Sequence, residues 1–327
     1  MTRTSDPRVS PDGRWVVFAL NEPSYDPSKS VSDLWIVASD GSAPARRLTS
    51  SRGGESGVNW APDSKRIAFS AKREGDEVEQ IYLLAVDGGE AQRITTTPTG
   101  ATKPKRRGDG KAILFESMMK AARQAPEMST ARVFDSLPIR FWNTWSDGSK
   151  PHIFVQVIDG GAVVDVLAGT KLAESAGFDA PYVGSGAERS LQAQWAPDGQ
   201  EIVFVAVVNK TSMMTEETES HLFRVKTSGS EPVQMTAPGE SYDTPLFSPD
   251  GKMIAFAWQK PQSGAFDIYL YDTQSLRFIQ LTSNSGNNER PTIAPDGKHI
   301  AFQSTRSGTT QIWSLALDGK KLLQLTT

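Results

Sequence analysis

Ser10-Pro11-Asp12-Gly13-Arg14-Trp15-Val16-Val17-Phe18 decides the fold, because the same turn and the same kind of run return along the chain. The turn recurs as Pro62-Asp63-Ser64, Gly108-Asp109-Gly110, Pro197-Asp198-Gly199, Pro249-Asp250-Gly251 and Pro295-Asp296-Gly297. Proline presets φ, aspartate can accept a backbone N–H two residues on, and glycine tolerates positive φ, so each copy reads as a tight hairpin. After each turn comes a short β-rich run: residues 15–18, 67–69, 113–115, 202–204, 254–256 and 300–302. A third run follows (34–37, 81–84, 153–157, 222–225, 268–271 and 312–315). The fourth run ends in Arg47-Leu48-Thr49, Arg93-Ile94-Thr95, Gln234-Met235-Thr236, Gln280-Leu281-Thr282 or Gln324-Leu325-Thr326, with residues 163–167 as its counterpart in the third unit. Four short antiparallel strands per unit, repeated, imply an all-β chain of stacked blades, a β-propeller.

The last residues of the turns (13, 64, 110, 199, 251, 297) are 51, 46, 89, 52 and 46 positions apart. Propeller repeats run to about 40–50 residues, so the long interval could hold a seventh blade. Only one set of strand-like runs lies inside it, which favours six blades with two insertions: 118–145, with residues 121–125 as a short helix, and a Gly/Ala/Ser-rich loop at 170–189. The expected organisation is one domain over 1–327 with blades at 5–51, 55–97, 101–169, 190–237, 241–283 and 288–327.

The 35 Lys and Arg nearly cancel the 38 Asp and Glu, so a net charge of −3 gives no reason to expect a nucleic-acid or membrane partner. The chain has no cysteine, which removes disulfides, thiolate metal sites and a cysteine nucleophile and leaves the compartment open. The repeat begins within a few residues of Met1, so no leader sequence is expected ahead of it.

Little in the chain carries chemistry. A serine hydrolase of the strand–elbow–helix type needs Gly-x-Ser-x-Gly, and neither the stretch from Gly53 to Gly57 nor the one from Val183 to Gly186 has that spacing. His152, His221 and His299 sit at strand edges without a second histidine at metal-ligand spacing, and read as structural. The turn aspartates Asp12, Asp63, Asp109, Asp198, Asp250 and Asp296 belong to different blades, so they read as turn formers rather than calcium ligands. Trp15, Trp35, Trp60, Tyr82, Trp195, Phe204, Tyr269 and Trp313 fall within strands and read as core. Neither a cofactor nor a metal is expected.

Two features stand out. Residues 103–107 form a basic run, Lys103-Pro104-Lys105-Arg106-Arg107, in which Arg106 holds a place that Val9, Trp60, Trp195, Phe247 and Ile293 fill elsewhere. Five residues before the end of five of the six turns stand Arg8, Asn59, Lys105, Gln194 and Thr292, on innermost strands beside an axial channel, and they make the best candidate binding row. The insertion also brings Phe134, Leu137, Ile139, Phe141, Trp142 and Trp145 together, either packed on its blade or facing a partner domain.

The first four units, with 6–18, Gly108-Asp-Gly-Lys-Ala-Ile-Leu-Phe115, residues 132–145 and Pro151-His-Ile-Phe154, resemble the propeller of bacterial peptidases of the prolyl oligopeptidase family. In that family the propeller covers an α/β-hydrolase domain and filters substrate by size, which implies a gating role here. The last two units, with Tyr242-Asp-Thr-Pro-Leu-Phe-Ser-Pro-Asp-Gly-Lys252, Phe266-Asp-Ile-Tyr269, residues 288–297 and Gln311-Ile-Trp313, are more similar to the six-bladed propeller of TolB, which implies a periplasmic setting. The split leaves open a chain assembled from two propeller lineages, naturally or by design, or ordinary divergence. The expectation is a non-enzymatic binding or scaffold module, monomeric, with a protein or peptide partner. The alternatives are a substrate-gating propeller without its catalytic domain and, less well supported, a metal-dependent hydrolase with its metal on the axis.

Overall fold

Six four-stranded meanders follow one another in the computed structural model, which describes residues 3–22, 31–51, 53–120, 140–141, 144–183, 188–259, 264–283 and 285–326. The first is β1 (Arg3–Val9), β2 (Trp15–Glu22), β3 (Val31–Ala38) and β4 (Arg46–Arg47); the second is β5 (Glu55–Trp60), β6 (Arg66–Ala71), β7 (Gln80–Ala85) and β8 (Gln92–Arg93). The third starts with β9 (Thr102–Arg106) and β10 (Ala112–Met119), is interrupted by a hairpin of β11 (Arg140–Phe141) and β12 (Thr144–Trp145), and ends with β13 (Lys150–Val157) and β14 (Val163–Asp165). A one-turn helix α1 (Lys171–Glu174) precedes the fourth meander, β15 (Gln194–Trp195), β16 (Glu201–Val207), β17 (Ser220–Lys226) and β18 (Val233–Gln234). The fifth is β19 (Ser241–Phe247), β20 (Met253–Gln259), β21 (Phe266–Asp272) and β22 (Arg277–Gln280). It joins the fourth through a single parallel pairing, Ser220 with Ser241. The sixth is β23 (Asn288–Ile293), β24 (His299–Ser304), β25 (Gln311–Ala316) and β26 (Leu323–Gln324).

The turns form as their residues dictate. Asp12, Asp63, Asp109, Asp198, Asp250 and Asp296 each accept the backbone N–H two residues on, at 2.8–3.1 Å. Gly13, Gly110, Gly199, Gly251 and Gly297 close these turns with positive φ, and Ser64 adopts the same conformation at φ 58°. The aspartates therefore spend an oxygen on their own turn. The threonine ending each fourth run tethers it: Thr49, Thr95, Thr282 and Thr326 accept the N–H of Leu34, Ile81, Ile268 and Ile312 at 2.8–2.9 Å, and Thr236 that of Leu222 at 3.2 Å.

Side chains alternate across a strand, so within a unit a sheet can offer one face to the preceding meander and one to the next. On β6, Ile67 and Phe69 pack with Val17, Leu34 and Ile36, while Ala68 turns to Ile113, Phe115 and Phe154. On β20, Ile254 and Phe256 pack with Val203 and Leu222, while Ala255 and Ala257 meet Ile300 and Phe302. The recurring Ile-Ala-Phe thus sets large side chains against small ones, which lets neighbouring sheets nest at close packing.

Two compact units divide the chain. The first, Met1–Met118 with Ile153–Val164, holds the first two meanders and most of the third; the second, Met119–His152 with Asp165–Thr327, holds the last three. The loop expected over 170–189 is built into the second unit: Phe178 is fully buried, and Asp179 forms a β-bridge with Val207. The helix expected at 121–125 and the side chains of Phe134, Leu137, Ile139, Phe141 and Trp142 lie outside the described residues. Trp145 is exposed, with the Arg140 guanidinium 5.7 Å from its ring centre.

Candidate functional site

The row read from the repeat occupies one register. Arg8, Asn59, Lys105, Gln194 and Thr292 pair with Val17, Ala68, Leu114, Val203 and Ala301, and Leu246 with Ala255 fills the place in the fifth meander. In the first unit, exposed Arg8 forms an ion pair with Asp6 at 2.6 Å, and Asn59 Oδ1 accepts the Arg106 N–H at 2.7 Å. Burial holds the Lys105 ammonium below the usual lysine range, and Arg8 adds to this, against Glu116 and Asp6. Lys103 stands 3.9 Å from Glu116. The first unit therefore presents a cationic stretch on its first strands. In the second unit Gln194 is half-buried and Thr292 exposed, so that part of the row is uncharged.

Just before this row, within the first strand or, for Gln192, two residues ahead of it, stands a residue at positive φ: Asp6, Gly57, Lys103, Gln192, Thr244 and Arg290, at 48–64°. The pairing register shifts at the bulge in the first, second, third, fifth and sixth meanders. Bulges re-aim neighbouring side chains. Gln192 reaches across to the fifth meander, donating through Nε2 to Asp243 Oδ1 and accepting the Thr244 N–H at 2.8 Å. The Thr244 N–H also bonds Asp243 Oδ1, at 2.8 Å.

Asp243 opens into a cavity of about 520 Å³ within the second unit, whose other walls include Asp179, Tyr182, Lys210, Met213 and Phe266. Buried Asp179 accepts from Arg189 and Lys210 at 2.7 and 2.6 Å, and its Oδ1 also takes the Ala180 N–H at 2.8 Å. Lys150, within the field of Asp179 and Lys210, donates to the carbonyls of Ala173 and Ser175 at 2.7 Å each. Burial raises the Tyr182 hydroxyl and the Asp243 carboxyl above their ordinary ranges, and Glu289 pushes Asp243 further in that direction. None of these cavity residues is a repeat position of the row. The signal that could have found Asp179 and Tyr182 is the insertion itself, whose Phe178-Asp179-Ala180-Pro181-Tyr182 interrupts a stretch of small residues; Lys210, Met213, Asp243 and Phe266 lie outside it.

The histidines are tied to carboxylates: His152 to Asp165 at 2.8 Å, His221 to Glu219 at 3.5 Å and His299 to Asp296 at 3.2 Å. Burial lowers the pKa of His221. No group of three metal-ligating side chains converges among the described residues.

Dipeptidyl-peptidase 5 of Porphyromonas endodontalis is 27% identical over 263 residues, 78% of this chain and 37% of that protein. The uncharacterized peptidase YuxL of Bacillus subtilis is 33% identical over 116 residues, 34% of this chain and 16% of its own length. The chain thus spans little more than a third of the first of these relatives. Among solved structures, acylaminoacyl peptidase from Pyrococcus horikoshii superposes with a TM-score of 0.70 at 18% identity, covering all of this chain and 46% of that one. TolB from Acinetobacter baumannii gives 0.57 at 18% identity, over 99% of this chain and 63% of that one. Such distant likeness shows the fold alone, a β-propeller. The family described as the TolB beta propeller domain matches residues 2–137 and 169–327, on both sides of the change in resemblance, and this chain belongs to it.

Proposed function

We propose that this propeller is a non-enzymatic binding module, and that its setting is the one its relatives suggest: the substrate-gating propeller of a serine peptidase. The observation that carries the reading is the match to a dipeptidyl-peptidase over 78% of this chain but 37% of that protein, in a chain whose sequence holds no Gly-x-Ser-x-Gly elbow. What the propeller offers instead is a cationic stretch of first strands in one unit and a lined cavity in the other. Lys105, half-buried and in the field of Arg8, is the group of the row best placed to attract an acidic or carboxylate-bearing peptide. Arg8, Asn59, Gln194 and Thr292 complete the proposed contact row.

The purified chain is expected to leave acyl-aminoacyl and dipeptidyl chromogenic substrates unhydrolysed. Turnover above a heat-killed control, abolished by a serine-directed inhibitor, would overturn the non-enzymatic reading. Reading the coding sequence beyond Thr327 separates the settings: continuation into an α/β-hydrolase supports gating, and a stop codon supports a standalone module.

A further inference from the structure

We propose that the cavity of the second unit binds an organic ammonium carried on an apolar body, with Asp243 as its anionic anchor. The cavity, about 520 Å³, has the size of small-molecule sites generally. Among the described residues both donors to Asp243, from Gln192 and Thr244, fall on Oδ1, and none falls on Oδ2. No ion pair reaches Asp243 among the described residues, whereas Lys210, the cation of the lining, is engaged by Asp179, which also holds Arg189. The unpaired charge of the lining is thus negative, at exposed Glu217 and, more deeply, at Asp243, on which the Arg290 guanidinium acts only through its field.

Burial disfavours the ionised form of that carboxylate, and an arriving ammonium would supply the missing counter-charge as a charge-assisted bond. Phe266 and Tyr182 line the same space, and aromatic faces attract cations while accommodating an apolar stem. An anionic ligand would meet Asp243 and Glu217 in the lining, and would have to compete with Asp179 for Lys210. The inference is independent of the peptidase setting, because every residue it uses lies in one unit.

The test is calorimetric titration of the full chain with phenethylamine, with its anionic counterpart 3-phenylpropanoate, and with N-acetyl-lysine amide. Phenethylamine should bind saturably at one site and 3-phenylpropanoate should not. Asp243→Asn keeps an oxygen for Gln192 and Thr244, and should weaken amine binding about tenfold or more, the scale of a lost charge-assisted bond. Tighter binding of the lysine amide than of phenethylamine would identify a peptide side chain as the source of the ammonium, and the reverse a free amine. A folded Asp243→Asn chain that binds phenethylamine as the parent does would overturn the proposal. So would equal binding of the carboxylate by the parent chain, a comparison that stands even if the variant fails to fold.

Discussion

At position 106 the third meander carries a guanidinium where its counterparts carry apolar bulk. Arg106 pairs with Ile113 as Trp60 pairs with Ile67, Trp195 with Ile202, Phe247 with Ile254 and Ile293 with Ile300. It is buried; Nη2 donates to the Gly110 carbonyl at 2.7 Å, while Nε and Nη1 have no hydrogen-bond partner among the described residues. A buried donor left unmade costs about 1–3 kcal/mol. Trp60 shows what the position accepts, since its indole N–H donates to the Arg8 carbonyl at 2.9 Å, and the Asn59 carbonyl holds the equivalent place for position 106. Arg106→Trp should therefore raise the urea midpoint by the equivalent of about 1–2 kcal/mol. A lower midpoint would show that the guanidinium–Gly110 contact outweighs the restored packing. The displaced side chain was legible from the repeat, because position alone assigns it; its bond to Gly110 was not, because that depends on which rotamer the neighbouring turn admits.

Among the elements, the bulges of the first strands were invisible in sequence. Positive φ is ordinarily announced by glycine, yet only Gly57 among the six is one. Thr244 is the least suited of them: it is β-branched at φ 51°, and its buried Oγ1 has no hydrogen-bond partner among the described residues. Strain held next to a binding group is a recurrent arrangement, here beside Asp243. Thr244→Gly should stabilise the chain by about 1 kcal/mol, the relief being partly offset by the entropy of the more flexible unfolded glycine. Loss of stability in a denaturant titration would mean that the side chain packs better than its conformation suggests. The fourth strands allow a paired comparison. Thr95 is buried and bonds both the Ile81 N–H and the Gln80 side chain, whereas the equivalent Thr326 is exposed. Thr95→Val should cost about 1–3 kcal/mol and Thr326→Val about 0.5 kcal/mol or less. Equal costs would argue that the tether acts locally rather than through burial.

Over the whole chain, what repeats was readable and what is particular was not: the turns, the meanders and the row follow from periodicity, while the cavity depends on Asp179 meeting Lys210 and on Gln192 meeting Asp243, contacts between residues far apart in sequence and out of phase with the repeat. Electrostatics, too, is distributed along the chain, and it sets the response to acid. Asp12, bonded by Ser10 and Arg14, and Asp109, bonded by Arg107, are pulled down to about 2; Asp250, held by Ser248, and Asp296, held by the Lys298 N–H, are also lowered. A carboxyl depressed in the folded chain contributes stability that is complete above the ordinary aspartate range and is lost as pH falls through the folded value. Burial acts oppositely on Glu55 and Asp243, raising both, so their penalty is relieved as they take up protons on acidification. Burial lowers His221, whose contribution is lost below the ordinary histidine range and so offsets that relief. The net expectation is a shallow dependence between about pH 7 and pH 5, then a steep loss below about pH 4 as the turn aspartates of both units protonate. Urea midpoints measured across that range test it, and a midpoint near pH 3 equal to that near pH 5 would refute it. Glu55→Gln isolates one buried carboxyl: Gln keeps an acceptor for the Thr49 hydroxyl, 2.8 Å away in the parent, and removes the ionisable group. The variant's stability relative to the parent should be more favourable near pH 7 than near pH 4, because a carboxyl raised by burial penalises the folded parent increasingly as pH climbs above the ordinary glutamate range. A difference that does not change with pH would show that the nearby Arg73 guanidinium, 3.8 Å from Oε1, already neutralises the cost of that charge.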